Sequence, residues 1–107
     1  MEISEAQKQV DELIQRYGGY WKPLSMLARF TEETGELARA INIKHGEKRS
    51  KGDGDGRDIE EELADVLITT LAIANSEGID LEKALSRKLG LDYEKCKGVY
   101  DDDNTNC

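Results

Sequence analysis

Residues 58–76 read Asp58-Ile59-Glu60-Glu61-Glu62-Leu63-Ala64-Asp65-Val66-Leu67-Ile68-Thr69-Thr70-Leu71-Ala72-Ile73-Ala74-Asn75-Ser76. Asp58 followed three residues later by Glu61 is the spacing of a capping box, which opens a helix that the sequence predicts to run to about Gly78. After its first turn and a half this helix is apolar nearly all round, through Leu63, Val66, Leu67, Ile68, Leu71, Ile73 and Ala74. A helix of that kind must be covered on more than one side, either at the centre of a bundle or by a partner subunit. No strand-like alternation and no solenoid repeat occurs elsewhere in the chain, so the fold class is all-α.

The flanking segments agree. Ser4 and Gln7 have capping-box spacing, and Val10, Leu13, Ile14 and Tyr17 follow at helical intervals, which predicts a helix over 5–17 ended by Gly18 and Gly19. Pro23 suits a first helical position and opens a second helix over 23–43, with Leu27, Phe30, Leu37, Ala38 and Ile41 apolar and Gly35 its one weak point. Residues 44–57 hold four glycines and almost nothing that can be buried, and are expected to form a mobile loop. Asp80 caps a further helix over 81–89, with Leu81, Ala84, Leu85 and Leu89 on one face, and a short helix is possible from Asp92 to Val99. The expectation is one domain over 1–100, a unit of four to five helices completed by oligomerisation, and a disordered acidic tail over 101–107.

The composition bounds the function. Fifteen basic against 23 acidic residues give a net charge of −8, which opposes attraction to nucleic-acid phosphates. Only 37% of the 107 residues are hydrophobic, a thin core for a lone domain that self-association would thicken. No apolar run approaches the roughly 18 residues of a membrane span, and the opening Met-Glu-Ile-Ser does not read as a signal peptide, so the expectation is a cytoplasmic protein with no membrane partner. Cys96 and Cys107 have no metal-site spacing, and the single histidine, His45, supports neither a hydrolytic triad nor a ferritin-like di-iron site. Asp53-Gly54-Asp55-Gly56 fails as a calcium loop because Asp58 stands where the glycine is needed and Ala64 where the final glutamate is needed. The glycines of this stretch follow a helix and lack a Lys-Ser/Thr ending, which excludes a P-loop.

The chemistry lies in two acidic pairs. Glu33 and Glu36 are three apart on the second helix, and Glu62 and Asp65 three apart on the third, so each pair projects from one face. In an antiparallel hairpin centred on residue 49, position 33 falls level with 65 and position 36 with 62. Four carboxylates at one level repel and raise one another's pKa values unless a hard cation sits among them. An all-oxygen donor set without imidazole or thiolate favours Mg²⁺, with Mn²⁺ as a substitute. Asp65, surrounded in sequence by Leu63, Ala64, Val66, Leu67 and Ile68, is the carboxylate expected to be costly to bury alone. Against this stands the plainer reading that Glu-rich faces are simply solvated.

Thr31-Glu32-Glu33-Thr34-Gly35-Glu36-Leu37-Ala38, together with Glu60-Glu61-Glu62-Leu63-Ala64-Asp65-Val66-Leu67, resembles the MazG-type nucleoside triphosphate pyrophosphohydrolases, whose pattern is E-E-x-x-E, a variable spacer, then E-x-x-D. The resemblance spans roughly residues 5–89, including Tyr20-Trp21-Lys22-Pro23-Leu24, Ala74-Asn75 and Gly78-Ile79-Asp80-Leu81. It implies a Mg²⁺-dependent all-α enzyme that cleaves a ribo- or deoxyribonucleoside triphosphate between its α and β phosphates, giving the monophosphate and pyrophosphate, in nucleotide-pool housekeeping. By position it makes Glu33, Glu36, Glu62 and Asp65 metal ligands and gives Glu32 a role in orienting or deprotonating the attacking water. It also implies assembly as a dimer or tetramer. Lys44, with the basic residues of the loop, and Lys88 are candidates for phosphate contacts, although Asp92 stands where the family often has asparagine. Trp21 can stack on a base or pack beside Pro23. The rival to turnover is a catalytically inactive helical dimerisation or nucleotide-binding regulatory module.

Overall fold

The computed structural model describes residues 1–46 and 58–91, and over these the chain is four helices with no strand. They are α1 (Ile3–Arg16), α2 (Pro23–Lys44), α3 (Ile59–Ser76) and α4 (Leu81–Lys88). Most of the expected loop over 44–57, the short helix from Asp92 to Val99, Asp92 itself and the tail over 101–107 lie outside the described residues.

Local chemistry accounts for most of the helix ends. Pro23 occupies the first turn of α2 after an extended Lys22, and the helix continues unbroken through Gly35. Asp58 caps α3, its carboxylate accepting from the Glu60 amide at 3.0 Å, and Asp80 caps α4 by accepting from the Lys83 amide at 3.1 Å. At the end of α1 the chain turns through Gly18 at φ 105°, which brings the Gly19 amide onto the Ile14 carbonyl at 2.9 Å. Gly78 at φ 68° does the same after α3, where the Ile79 amide reaches the Ala74 carbonyl at 2.8 Å. Both are closures of the Schellman kind, in which a left-handed residue lets the chain satisfy the last carbonyls.

One expected cap does not form. Ser4 lies inside α1, whose N-cap is Glu2 without a side-chain bond, so the anticipated Ser4–Gln7 box is corrected. Tertiary partners replace it. The Ser4 amide donates to Glu82 of α4 at 3.0 Å, and Gln7 faces the junction of α3 and α4. There the Gln7 amide nitrogen donates to Asn75 Oδ1 and to the Ile79 carbonyl, both at 2.9 Å, while its Oε1 accepts from the Leu81 amide at 2.9 Å. Asn75 Nδ2 returns a bond to the Gln7 carbonyl at 2.8 Å. This closed set fastens α1 across the far end of α3.

α2 and α3 pack along each other as an antiparallel pair, α1 lies against α3, and α4 against α1. The core is small: Val10, Met26, Leu71 and Ala72 are buried together, with Ile14, Tyr20 and Ile73 packed around them. Among the described residues, α3 is covered on two sides only, by α1 and α2. Leu63 and Leu67, one turn apart, remain 52% and 50% exposed, and Leu24 and Leu27 of α2 are exposed as well.

Candidate active site

The antiparallel pairing brings carboxylates of α2 and α3 together. One oxygen from each of Glu33, Glu62 and Asp65 falls within 4.8 Å of the others. Glu33 is 8% exposed and Glu62 only 2%, so two of the three acids lie in the interface between the helices while Asp65 is more open to solvent. The sequence singled out Asp65 as the acid to be buried; the structure buries Glu62 in its place. The reason is helical phase: the apolar neighbours of Asp65 in sequence include Leu63 and Leu67, which themselves face outward. Glu36, one turn beyond Glu33, is partly buried and engaged by neighbouring groups but lies outside the close set. Glu32 is exposed.

This arrangement is electrostatically costly. Burial raises the pKa of Glu33 above its ordinary value of 4.5; Arg29 opposes the rise, and the charges of Asp65, Glu62 and Glu32 add to it. The Arg29 Nε lies 3.4 Å from Glu33 Oε1, one turn away on α2. Glu62 is engaged by a neighbouring group, yet among the described residues its buried Oε2 finds no hydrogen-bond donor, a condition that native proteins seldom leave without a reason. Three convergent hard oxygens, two of them in low-dielectric surroundings, fit a small divalent cation; no nitrogen or sulfur ligand belongs to the set.

Beside the acids lies a cleft of about 280 Å³, walled by Tyr20 and Trp21 from the α1–α2 connection, Met26 and Arg29 from α2, and Ile68 and Thr69 from α3. Met26 and Arg29 lie level with Ala72 and Thr69 about the same centre at residue 49 that pairs 33 with 65. The cleft therefore begins one helical turn from the carboxylates. It is largely apolar: the Thr69 hydroxyl is occupied by the carbonyls of Asp65 and Val66, at 2.8 and 3.0 Å. Trp21 remains 58% exposed at its mouth, as befits an aromatic ring that has yet to be covered. Tyr20 is held from behind, its hydroxyl donating to Asp11; burial and this bond raise the phenol's pKa, and Asn75 lowers it.

Lys44 is exposed on the last turn of α2 and Lys88 on the last turn of α4, which packs on α1; neither lines the cleft. Sequence reasoning passed over Arg29, although its spacing of four residues before Glu33 put it on the same helical face. It also passed over Asp11, and it placed Asn75 within the family resemblance without giving it a role; the parts both play depend on long-range partners that no local pattern announces.

The comparisons with known proteins agree with this geometry. The family model described as the MazG nucleotide pyrophosphohydrolase domain matches residues 21–90. An uncharacterized Bacillus subtilis protein, YpjD, is 45% identical over 86 residues, covering 79% of this chain and 78% of the relative. A crystal structure of the candidate pyrophosphatase YPJD from Bacillus subtilis superposes with a TM-score of 0.75 at 42% identity, covering 84% of this chain and 91% of the other. A Bacillus-conserved MazG protein, a nucleotide pyrophosphohydrolase, gives 0.70 at 44% identity, covering 83% and 86%. With the acidic pairs, the helical pairing and these matches in agreement, the chain belongs to the MazG nucleotide pyrophosphohydrolase family and is a hydrolase.

Proposed function

We propose that this hydrolase cleaves ribo- or deoxyribonucleoside triphosphates between the α and β phosphates, releasing the monophosphate and pyrophosphate, with Mg²⁺ as its cofactor and Mn²⁺ as a substitute. The observation that carries the reading is the convergence of Glu33, Glu62 and Asp65, two of them buried, at one level of the α2–α3 pair. These three, with Glu36, would hold the metal. The bound ion supplies charge neutralisation for the triphosphate and acidifies a water molecule.

The protein's own part is positioning and proton transfer. As water oxygen bonds to phosphorus and the bridging P–O bond breaks, pyrophosphate departs and the water's proton must pass to a carboxylate. Glu32, exposed and next to Glu33 in sequence, would orient that water or take the proton. Trp21, on the wall of the cleft whose Arg29 end lies one turn from the acids, offers its indole face to the base. Lys44 and Lys88 would serve the outer phosphates.

Self-association as a dimer or tetramer would cover the exposed leucines of α2 and α3 and complete the thin core. A cytoplasmic housekeeping role in the nucleotide pool, performed by a single domain over residues 1–100, fits such an enzyme.

The test is product analysis by ion-exchange chromatography on a panel of ribo- and deoxynucleoside triphosphates, with and without Mg²⁺, and with Glu36→Gln as control. Monophosphate and pyrophosphate in equal amounts, dependent on Mg²⁺ and absent from the control, is the expected result. Intact triphosphates with folded protein would favour the inactive nucleotide-binding module.

A further inference from the structure

Arg29 belongs to both halves of the site. Among the described residues lining the cleft it is the one charged side chain, and it is also the ion-pair partner of Glu33, at 3.4 Å. A guanidinium in that place does something a divalent cation would do: it offsets negative charge on a carboxylate buried between two helices. Its side chain is nonetheless 48% exposed, whereas that of Glu33 is 11% exposed, so the arginine reaches the carboxylate from the solvent side. A group whose base occupied the cleft and whose phosphates approached the acids would have to pass Arg29.

We propose that Arg29 is a phosphate-binding residue that exchanges partners: it pairs with Glu33 in the metal-free enzyme and, when a divalent cation takes that carboxylate, turns to the triphosphate. The guanidinium suits both roles, because its fan of N–H donors matches carboxylate and phosphate oxygens alike. The exchange makes metal and substrate binding cooperate. The cation displaces Arg29 from Glu33, and the displaced arginine then contacts the phosphates that the cation also attracts. This inference rests on the metal reading of the carboxylates given above, and assigns the nucleotide's phosphates a partner on α2 beside Glu33, distinct from Lys44 and Lys88.

The two roles give opposite signs, which makes the proposal testable without turnover. Calorimetric titration of the metal-free protein with Mn²⁺ alone is to be compared for wild type, Arg29→Gln and Arg29→Lys, each checked for folding by its melting curve. Arg29 competes with the ion, so Arg29→Gln is expected to bind Mn²⁺ about three- to tenfold more tightly, in keeping with removal of one nearby partly screened charge. In the presence of saturating Mn²⁺, the same variant is expected to bind α,β-imido analogues of ATP, GTP, CTP and UTP about tenfold or more weakly, by a similar factor for every base. Arg29→Lys should recover part of that loss, keeping the charge without the fork.

Mn²⁺ affinity that is unchanged or weakened in Arg29→Gln would overturn the exchange, as would analogue binding that is unchanged or lost for one base alone. Should wild type itself fail to bind Mn²⁺, the metal reading falls and the inference with it; wild-type binding with an unresponsive Arg29→Gln removes the inference and leaves the metal reading standing.

Discussion

The two ends of α3 handle polar side chains in opposite ways. At the far end, Gln7 and Asn75 place every side-chain donor and acceptor they use within 2.8 to 2.9 Å of a partner, across α1, α3 and the turn into α4. At the near end, about 20 Å away by helical rise, Glu33, Glu62 and Asp65 bring three carboxylates together at the helix interface, and among the described residues Glu62 Oε2 finds no hydrogen-bond donor. The first pattern is that of a satisfied polar network, which rigidifies a fold. The second costs stability in the protein alone, a cost that the proposed cation would offset, and such uncompensated strain is the mark of a site rather than of scaffold. The cleft joins them: Tyr20 is tied back to Asp11 on the scaffold side, while Arg29 leans on the acids.

If this contrast is correct, substitutions at the two ends should separate activity from stability. Glu62→Gln keeps the shape of the buried side chain and removes its charge; kcat/KM should fall by about 10²- to 10³-fold, the size of effect seen when one preorganised electrostatic group is lost, with little loss in melting temperature. Asn75→Ala should do the reverse. It leaves Gln7 with an unmet donor at a part-buried junction, a cost of about 1–3 kcal/mol, visible as a lower urea midpoint, whereas kcat of the folded fraction should stay within a few fold of wild type. A variant of Asn75 that folded normally and lost turnover would break the comparison.

Trp21→Ala tests the ground between them. Loss of one base-stacking surface is worth about 1–3 kcal/mol, and it should appear in KM with kcat largely retained, measured on the best triphosphate from the substrate panel. An unchanged KM would make Trp21 a packing residue beside Pro23.

The smallest effect is a pH dependence. In the metal-free protein the Glu33 carboxyl holds its proton more firmly when folded than when unfolded, chiefly through burial. The associated stability is fully present below the unfolded value and is lost as pH rises through the raised folded value. At pH 7 wild type carries that loss and Glu33→Gln does not, so the variant should melt a few degrees higher in the presence of a chelator, with the gap closing at about pH 4. A gap that widened toward low pH would contradict the burial account.

How far the sequence carried this structure depended on the range of the interactions concerned. Helix positions, the Pro23 start, the Asp58 and Asp80 caps and the antiparallel level of 33 with 65 follow from local spacing, and all four are seen. The Ser4–Gln7 box failed because four groups in α3, α4 and their connection, remote in sequence, outcompeted the local bond. Burial of Glu62 rather than Asp65 turned on which side of α3 faces α2, a matter of about 60° in helical phase (an advance of three residues) that composition around each acid does not resolve. Arg29 was legible in spacing to Glu33, but its place in the cleft wall required α3 to supply the opposite side.

The most direct test of the central claim is a thermal melt of wild type and Glu62→Gln across a Mg²⁺ series. A cation that occupies a site in the folded protein only must raise the melting temperature as its concentration rises. The account predicts a rising series for wild type and a flat one for Glu62→Gln. Equal responses in the two proteins, or no response in either, would contradict it.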